Sequence, residues 1–469
     1  MSDLVGRRYM ALIGCFFIII GNIVCSTAPN MNAFIGGMVF SGVGAGMNEL
    51  TAISATAEMA PTSKRGIYVG AVIMSLIPFL PSVLYAQLIA AHAGWRYVGI
   101  LCGAWSAIAF VMTWFLYRPP PRPNSAGLSR RQILRQIDWI GGLLSTSGVI
   151  LFLAGVQWGG YQYHWGSAHV LVPMILGAVL LVAFVVWEGW FASYPLFPKR
   201  LHKNSRNLAI LLIITCISGA NYYAILMFWP TQGYNMYGHD PIQQGIRGLP
   251  SGFGLLGGAV LSLGILSVFR GGMATRIMLL VSTVLMTAGT GAMAVASPTN
   301  QSTILGLLFI AGFGVGGIVV PCTIIVTIIC PDDLIATVSA LTLAVRVIGG
   351  GIGYTIYYNV FVAKLVPKLI HYIGGACVKY LHITSVPEIT KIIKLTAASR
   401  IGEIAQIQGI AGNETAYKIL VEAGVLAFTD SYRYIYYVAL GFGGASIIAA
   451  CFMGDISKYV DDHVAVVME

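Results

Sequence analysis

The sequence predicts an all-α polytopic membrane protein, and three observations lead to that prediction. Hydrophobic residues make up 57% of the chain and charged residues only 9%, far fewer than the surface of a soluble protein requires. The apolar residues form about twelve stretches, each long enough to cross a hydrocarbon core ~30 Å thick at ~1.5 Å per helical residue. The alternation typical of a β-barrel is absent, so helices, which pair their backbone groups internally, are the expected spanning elements.

The predicted spans follow one another with mostly short connections. Glycine recurs within them, as in 42–46 and 349–353, where small residues allow helices to pack closely. Pro78 and Pro81 should kink the third span. The twelve predicted spans are 8–28, 32–55, 67–91, 96–117, 139–158, 168–191, 207–230, 245–268, 274–296, 302–328, 334–360 and 432–453.

Lysine and arginine concentrate in alternate short loops, which predicts the orientation. One set of loops holds many basic residues, among them Arg65 and Arg206, whereas the opposite short loops hold Arg96 alone. The N- and C-termini are therefore expected in the cytoplasm. This bias also explains most of the net charge of +10, so nucleic-acid binding is not expected. Asn300 and Asn413 begin Asn-x-Ser/Thr patterns in predicted outer loops and are candidate glycosylation sites.

The loops divide the chain into segments. Residues 118–138 hold a proline run and then basic residues that can lie on anionic lipid, and residues 361–431 form a long outer connection, either a cap over the outer mouth or a plain connector. The predicted segments are an N-terminal bundle (1–117), the basic linker (118–138), two extra central helices (139–191), a cytoplasmic loop (192–206), a C-terminal bundle (207–453) and a cytoplasmic tail (454–469).

Three motifs lie in the N-terminal bundle. Residues 3–8 (Asp-Leu-Val-Gly-Arg-Arg) precede the first span, and 40–46 (Phe-Ser-Gly-Val-Gly-Ala-Gly) and 58–66 (Glu-Met-Ala-Pro-Thr-Ser-Lys-Arg-Gly) lie within and after the second. This arrangement resembles the major facilitator superfamily, in which the first motif occupies the loop before the third span. The resemblance implies two helical bundles around a central site and an ion-pair network at the cytoplasmic helix ends. The network residues that it implies are Asp3, Arg7, Arg8, Glu58 and Arg65.

The extra central helices resemble those of the fourteen-span drug:proton antiporter branch. The strings 158–165, 228–234 and 346–354, with the long outer loop, look like those of fungal trichothecene efflux pumps and their relatives, the siderophore-iron transporters. This resemblance implies about twelve helices of a fourteen-helix pattern, with an N-terminal bundle that lacks the first two helices. A truncated gene model, a fragment and a genuine short form are all compatible with that expectation.

Two charged residues lie within predicted spans. Arg346 lies near the middle of 334–360, where a charge costs about 2.5–3.5 kcal/mol on insertion scales and usually faces a cavity or a partner. It is either a substrate-binding residue or a structural arginine bonded to helix carbonyls. Glu49 lies in the inner half of 32–55, a helix that lines the cavity in the family, and is the predicted proton-coupling residue. The alternative is a carboxylate near the interface that stays ionised.

Aromatic and amide side chains recur at helical spacing along the span 207–230. The resemblance makes this segment a cavity-lining helix, and such side chains suit a bulky, mostly apolar ligand with a few oxygens. Core packing and an aromatic belt would use the same residue types. The predicted substrate-binding residues of this segment are Asn221, Tyr222, Phe228, Trp229 and Gln232.

Motifs for enzymatic chemistry are absent. The eight cysteines form no Cys-x-x-Cys pair, and neither His-Glu-x-x-His nor a Walker phosphate loop occurs, so we expect no enzyme activity, cofactor or metal site.

The predicted function is secondary active transport across a fungal plasma membrane by a monomer. The resemblance implies export of toxic amphiphilic small molecules, such as trichothecene-like toxins or drugs, coupled to protons by alternating access. Siderophore-iron uptake is one alternative, and a non-transporting sensor or an inactive truncated form is the other.

Overall fold

The structure, a computed structural model, describes residues 6–119, 132, 137–160, 162–195, 205–269, 272–407, 410–411 and 413–460. Asp3, most of the linker 118–138 and the end of the tail 454–469 lie outside the described residues. The described residues form α-helices joined by short turns, without a β-strand among them. Ten of the helical segments are long and apolar enough to cross a membrane, and the predicted all-α membrane fold is confirmed.

The N-terminal half of the protein consists of α1 to α5. The third predicted span is broken in two, because Pro78 and Pro81 lack the N–H groups that would continue the helix; a 3₁₀ turn at Ile77–Phe79 fills the break. The N-terminal helices are α1 (Arg7–Thr27), α2 (Met31–Met59), α3 (Arg65–Met74), α4 (Ser82–His92) and α5 (Arg96–Leu116).

Two predicted spans are not among the ten apolar segments, and their sequences explain why. The helices α3 and α4 are each too short, since the proline break separates them. Helix α2 has 29 residues, but its glycines together with Asn48 and Glu49 lower its hydropathy. Both segments are helical where the sequence predicts helix.

A helical hairpin follows the N-terminal half. It consists of α6 (Trp139–Trp158) and α7 (Ala168–Val186), and a π-helical turn at Trp187–Phe191 continues α7. Asp138 closes its base, because its carboxylate accepts hydrogen bonds from the Gly141 N–H at 2.9 Å and from the Trp187 indole at 3.0 Å.

The C-terminal half contains the longest helices. A π-helical turn at Ala224–Phe228 joins its first two helices. The remaining helices, in chain order, are α8 (Ser205–Tyr223), α9 (Trp229–Tyr237), α10 (Pro241–Val268), α11 (Gly272–Ala292), α12 (Gln301–Ile329), α13 (Ile335–Leu369), α14 (Gly375–Tyr380), α15 (Val386–Ala397), α16 (Ile401–Ile404) and α17 (Glu414–Cys451).

The predicted connection 361–431 is largely helical. Helix α13 extends past the predicted end of its span, and α17 begins 18 residues before the predicted start, at Glu414 rather than at 432. Between them, the Ser399 hydroxyl donates to Asn235 Oδ1 at 2.8 Å, and the Asn235 amino group donates to the Tyr432 hydroxyl at 3.2 Å. These bonds attach the short helices α14 to α16 to the C-terminal half.

The buried hydrophobic core lies almost entirely in the C-terminal half, and Val69 of α3 is its contribution from the N-terminal half. The two halves meet where α3 and α4 pack on α10 and where α2 packs on α13. Gly66 lies directly on the backbone of Leu263, and the Ile67 N–H donates to the Ser267 hydroxyl at 3.0 Å. We name the end of the helices that carries Arg65 and Gly66 the Arg65 end. The opposite end, where α14 to α16 are inserted between α13 and α17, is named the insertion end.

Candidate functional site

An ion pair joins the two halves of the protein near the middle of their helices. Arg346 of α13 donates through Nη2 to Oε1 of Glu49 on α2 at 2.6 Å, although 297 positions separate the two residues. Glycine at 219 lets α8 approach the backbone of Arg346 closely. The structure thus gives Arg346 a carboxylate partner and brings together two residues that the sequence singled out separately.

The two charged groups differ in exposure. The Glu49 side chain is 44% exposed, whereas that of Arg346 is 16% exposed. The phenol of Tyr222 lies within electrostatic reach of both charges. The carboxylate is therefore the more accessible group of the pair, beside an aromatic ring, and the guanidinium is mostly covered.

The other predicted substrate-binding residues face the interior of the C-terminal half. Asn221 Oδ1 accepts a hydrogen bond from the Tyr357 hydroxyl at 3.1 Å, and Gln232 Oε1 accepts one from the Tyr436 hydroxyl. Both amide side chains are fully buried. The π-helical turn adds a residue between them and so changes the register that regular helical spacing predicts.

Trp229 and Phe228 are also buried in this interior. The Trp229 indole donates to the Arg247 carbonyl at 2.8 Å. The Phe228 ring lies edge-on to Tyr357, with 6.2 Å between ring centroids, and tilted against Tyr354 at 5.5 Å. Four of the predicted residues therefore form an aromatic and amide cluster apart from the central ion pair, and only Tyr222 lies near the pair.

Two buried amino groups of this cluster have unused donors. Among the described residues, Asn221 Nδ2 and Gln232 Nε2 have no hydrogen-bond acceptor. A buried donor without a partner costs about 1–3 kcal/mol, and ordered water or a ligand oxygen would offset that cost. The cluster therefore offers two donors that suit carbonyl, ether or hydroxyl oxygens.

At the Arg65 end of the N-terminal half lie three residues of the predicted ion-pair network, Arg7, Arg8 and Glu58. Arg7 and Glu58 form a buried ion pair. Arg8 donates to the Trp114 carbonyl at 2.6 Å. These contacts tie the start of α1 to the end of α2 and to the end of α5.

Arg65 extends this network across to the C-terminal half. Its side chain is fully buried and donates to the Thr327 carbonyl at 2.8 Å and to Asp332 Oδ1 at 2.9 Å. A charged hydrogen bond of this kind contributes about 1.5–3 kcal/mol. The Arg65–Asp332 pair therefore holds the two halves together at this end.

Sequence reasoning missed Asp332, although a signal was present. Both α2 and α12 have 29 residues, and each is followed by a proline, a single 3₁₀ turn and the next helix. The turn after Pro61 carries Lys64 and leads to Arg65, whereas the turn after Pro331 carries Asp332. Equivalent turns with opposite charge indicate a pair between the halves.

The two candidate glycosylation sites begin helices. Asn300 precedes α12 and uses both amide atoms: Oδ1 accepts from the Ser297 N–H at 2.8 Å and Nδ2 donates to the Val295 carbonyl at 2.9 Å. Asn413 caps α17 through Oδ1, which accepts from the Ala416 N–H at 3.0 Å. The described residues contain no group of three potential metal ligands.

Comparison with known proteins identifies the family. The family model described as fungal trichothecene efflux pump (TRI12) matches residues 1–468. The trichothecene efflux pump TRI12 of Fusarium sporotrichioides is 28% identical over 480 residues, which cover 99% of this chain and 78% of that protein. The MFS-type transporter prx5 of Penicillium rubens is 27% identical over 440 residues, which cover 91% of this chain and 76% of that protein.

Among solved structures, the human organic anion transporter MFSD10 aligns with a TM-score of 0.48 and 10% identity, over 94% of this chain and 78% of that one. The resemblance that the motifs predict is confirmed by the family model, which extends over almost the whole chain. The protein is an integral membrane protein and belongs to the fungal trichothecene efflux pump family of major facilitator transporters.

Proposed function

We propose that the protein exports bulky, mostly apolar small molecules with donor groups, of the trichothecene type, in exchange for protons. Family membership supports export of such molecules. The observation that supports proton exchange is the Glu49–Arg346 pair, in which the carboxylate is the more exposed partner.

The exposure of the pair favours exchange over co-transport. A ligand hydroxyl or amine that binds the ionised Glu49 carboxylate competes with a proton for the same oxygen atoms. Bound proton and bound ligand then exclude each other, which is the condition for antiport. A ligand that bound only Arg346 would instead bind best when Glu49 is protonated, which would favour transport of both in the same direction.

Alternating access would use the contacts at the Arg65 end. We assign this end to the cytoplasm on the basis of its lysine and arginine residues. The Arg65–Asp332 pair and the packing of Gly66 on Leu263 would hold the cytoplasmic side closed. Separation of the halves there would open the central pair to the cytoplasm.

The test is transport of a labelled trichothecene into proteoliposomes with an imposed pH gradient. We expect Glu49→Gln to reduce gradient-driven accumulation by about tenfold, or ~1.4 kcal/mol, while exchange of substrate at equal pH continues. The matched control is Glu422→Gln, which removes an exposed carboxylate of α17 and should change neither flux. An unchanged response to the gradient in Glu49→Gln would contradict proton coupling at this residue.

A parallel assay distinguishes the alternatives. In yeast cells without their own pumps, a labelled ferric siderophore should not accumulate through an exporter. Iron accumulation would reverse the proposed direction and support siderophore uptake. If neither substrate moves while the protein is present at the plasma membrane, the non-transporting alternative is favoured.

A further inference from the structure

The central hairpin, composed of α6, α7 and residues 159–160 and 162–167 between them, has no role in the transport scheme above. Few of its residues are buried: 17% of those in the most apolar stretch of α6 and 11% of those in that of α7 with its following turn. From its few contacts we infer that the central hairpin is a positioning element, which braces helix α13 and thereby aligns Arg346 with Glu49. The inference rests on the proposed role of this ion pair.

The two helices of the central hairpin contact each other at three levels. Along its length, Gly155 lies against the Met174 backbone, where an added Cβ would be 2.7 Å from the Met174 nitrogen. At its base, Asp138 bonds both α6 and the π-helical turn after α7. At its tip, the rings of Tyr163 and His169 stack with 4.5 Å between centroids and 8° between planes. Because the hairpin is held together at its base and at its tip, it can support a helix that packs against it.

The tip of the hairpin folds so that it can reach α13. Gly160 has φ +85°, which side chains rarely adopt, and its N–H donates to the Tyr163 carbonyl at 2.9 Å. This conformation places Gly160 directly beside the Asn359 side chain of α13. The Asn359 amino group in turn donates to the Thr355 carbonyl at 3.0 Å.

A second contact lies closer to the ion pair. An added Cβ at Gly351 of α13 would be 3.2 Å from Cδ1 of Leu153 on α6. Gly351 is five positions after Arg346, and its neighbour Gly349 lies against the Cys216 backbone of α8. Helix α13 is therefore held between α8 on one side and the hairpin on another, directly after the residue that binds Glu49.

This part of α13 needs external support. Four glycines occur between residues 349 and 353, and each glycine within a helix costs about 0.8–1.0 kcal/mol relative to alanine. The helix at this level is therefore stabilised by its neighbours rather than by its own sequence. If Leu153 were removed, α13 could shift or bend at the glycines, and the Arg346 side chain would lose its alignment with Glu49.

The test measures how close positions 49 and 346 lie to each other and does not require transport. Glu49→Cys and Arg346→Cys are combined in otherwise cysteine-free protein and cross-linked with methanethiosulfonate reagents of graded length. Cleavage within the linker 118–138 then separates the two halves unless a cross-link joins them. We expect Leu153→Ala to slow cross-linking several-fold with the shortest reagent that reacts. The matched control, Leu143→Ala, truncates an exposed leucine of the same helix and should leave the rate unchanged. Leu153→Met keeps the volume and should restore the rate.

The outcomes separate positioning from general stability. The inference would be overturned if the Leu153→Ala protein had a lower apparent melting temperature but cross-linked at the same rate as the parent. If Leu153→Ala fails to fold, Leu153→Val removes less and serves in its place under the same criterion. Because cross-linking requires no substrate or proton gradient, its result stands whether or not Glu49 couples protons.

Discussion

The two halves of this transporter bury equally long helices to very different extents. Helices α5 and α11 both have 21 residues. None of the residues of α5 is buried, whereas α11 buries 11, among them Met278, Leu279 and Met286. In the most apolar stretch of α11 and its following turn, 61% of the residues are buried.

The difference shows that hydropathy alone does not decide burial in a membrane protein. Lipid tails are as apolar as leucine, so an apolar helix gains no hydrophobic free energy when it moves from lipid into the protein interior. Packing contacts and polar bonds decide which faces are covered. The C-terminal half has such contacts throughout, whereas the N-terminal half has them chiefly where α1 packs on α2 and α5 and where α3 and α4 pack on α10.

The largest difference in stability between the two halves should come from the same substitution at a buried and at an exposed phenylalanine. Phe428 of α17 is 3% exposed and stacks near Phe361 and Tyr432, whereas Phe115 of α5 is 64% exposed. We expect Phe428→Ala to cost about 3–5 kcal/mol of folding free energy and Phe115→Ala to cost less than about 0.5 kcal/mol. Thermal unfolding in detergent and the amount of folded protein in the membrane measure both. Equal losses would show that α5 is buried in the functional protein.

An intermediate effect is expected where the halves are joined. Arg65→Gln should reduce transport by about tenfold, since it removes charged bonds to Asp332 and Thr327 worth ~1.5–3 kcal/mol. Asp332→Asn should do the same, and the double variant should be no worse than either single one. The control is Lys64→Gln, at the exposed neighbouring position. Strictly additive losses would contradict a shared role for the pair.

The release of this contact can also be observed directly. A cysteine at Ser267, which is 8% exposed beside Gly66 and Ile67, should react faster with a water-soluble maleimide in Arg65→Gln than in the parent. An unchanged labelling rate would mean that the Arg65 end stays closed without the ion pair.

The smallest effect is expected at the glycosylation candidates of the insertion end. If this end is extracellular, Asn413→Gln should abolish a glycan-sized mobility shift of the protein expressed in yeast, because Asn413 is exposed and its Nδ2 is not needed for capping α17. Asn300→Gln should leave the shift unchanged, since Asn300 uses its Nδ2 within its own turn. Transport should be the same in both variants. The absence of any shift in the parent would count against this orientation.

Much of the helix content follows from local sequence. All twelve predicted apolar spans are helical in the described residues, and the proline pair breaks α3 from α4 as expected. Boundaries were less predictable where polar helices continue past the membrane. Helix α17 begins at Glu414 because its first turns are amphipathic and pack on the C-terminal half, a stabilisation that apolar run length does not reveal.

In the candidate site, too, some features follow from local sequence and others from tertiary contacts. The sequence by itself determined that Glu49 and Arg346 are charges within apolar spans, because the cost of such charges is local and visible in any window of the chain. Only the tertiary structure decided that they bind each other, that Arg65 pairs with Asp332, and that Asn221 and Gln232 face inward. These outcomes depend on close backbone approach at glycines and on the extra residue of a π-helical turn, which bring together atoms hundreds of residues apart and which no local periodicity encodes.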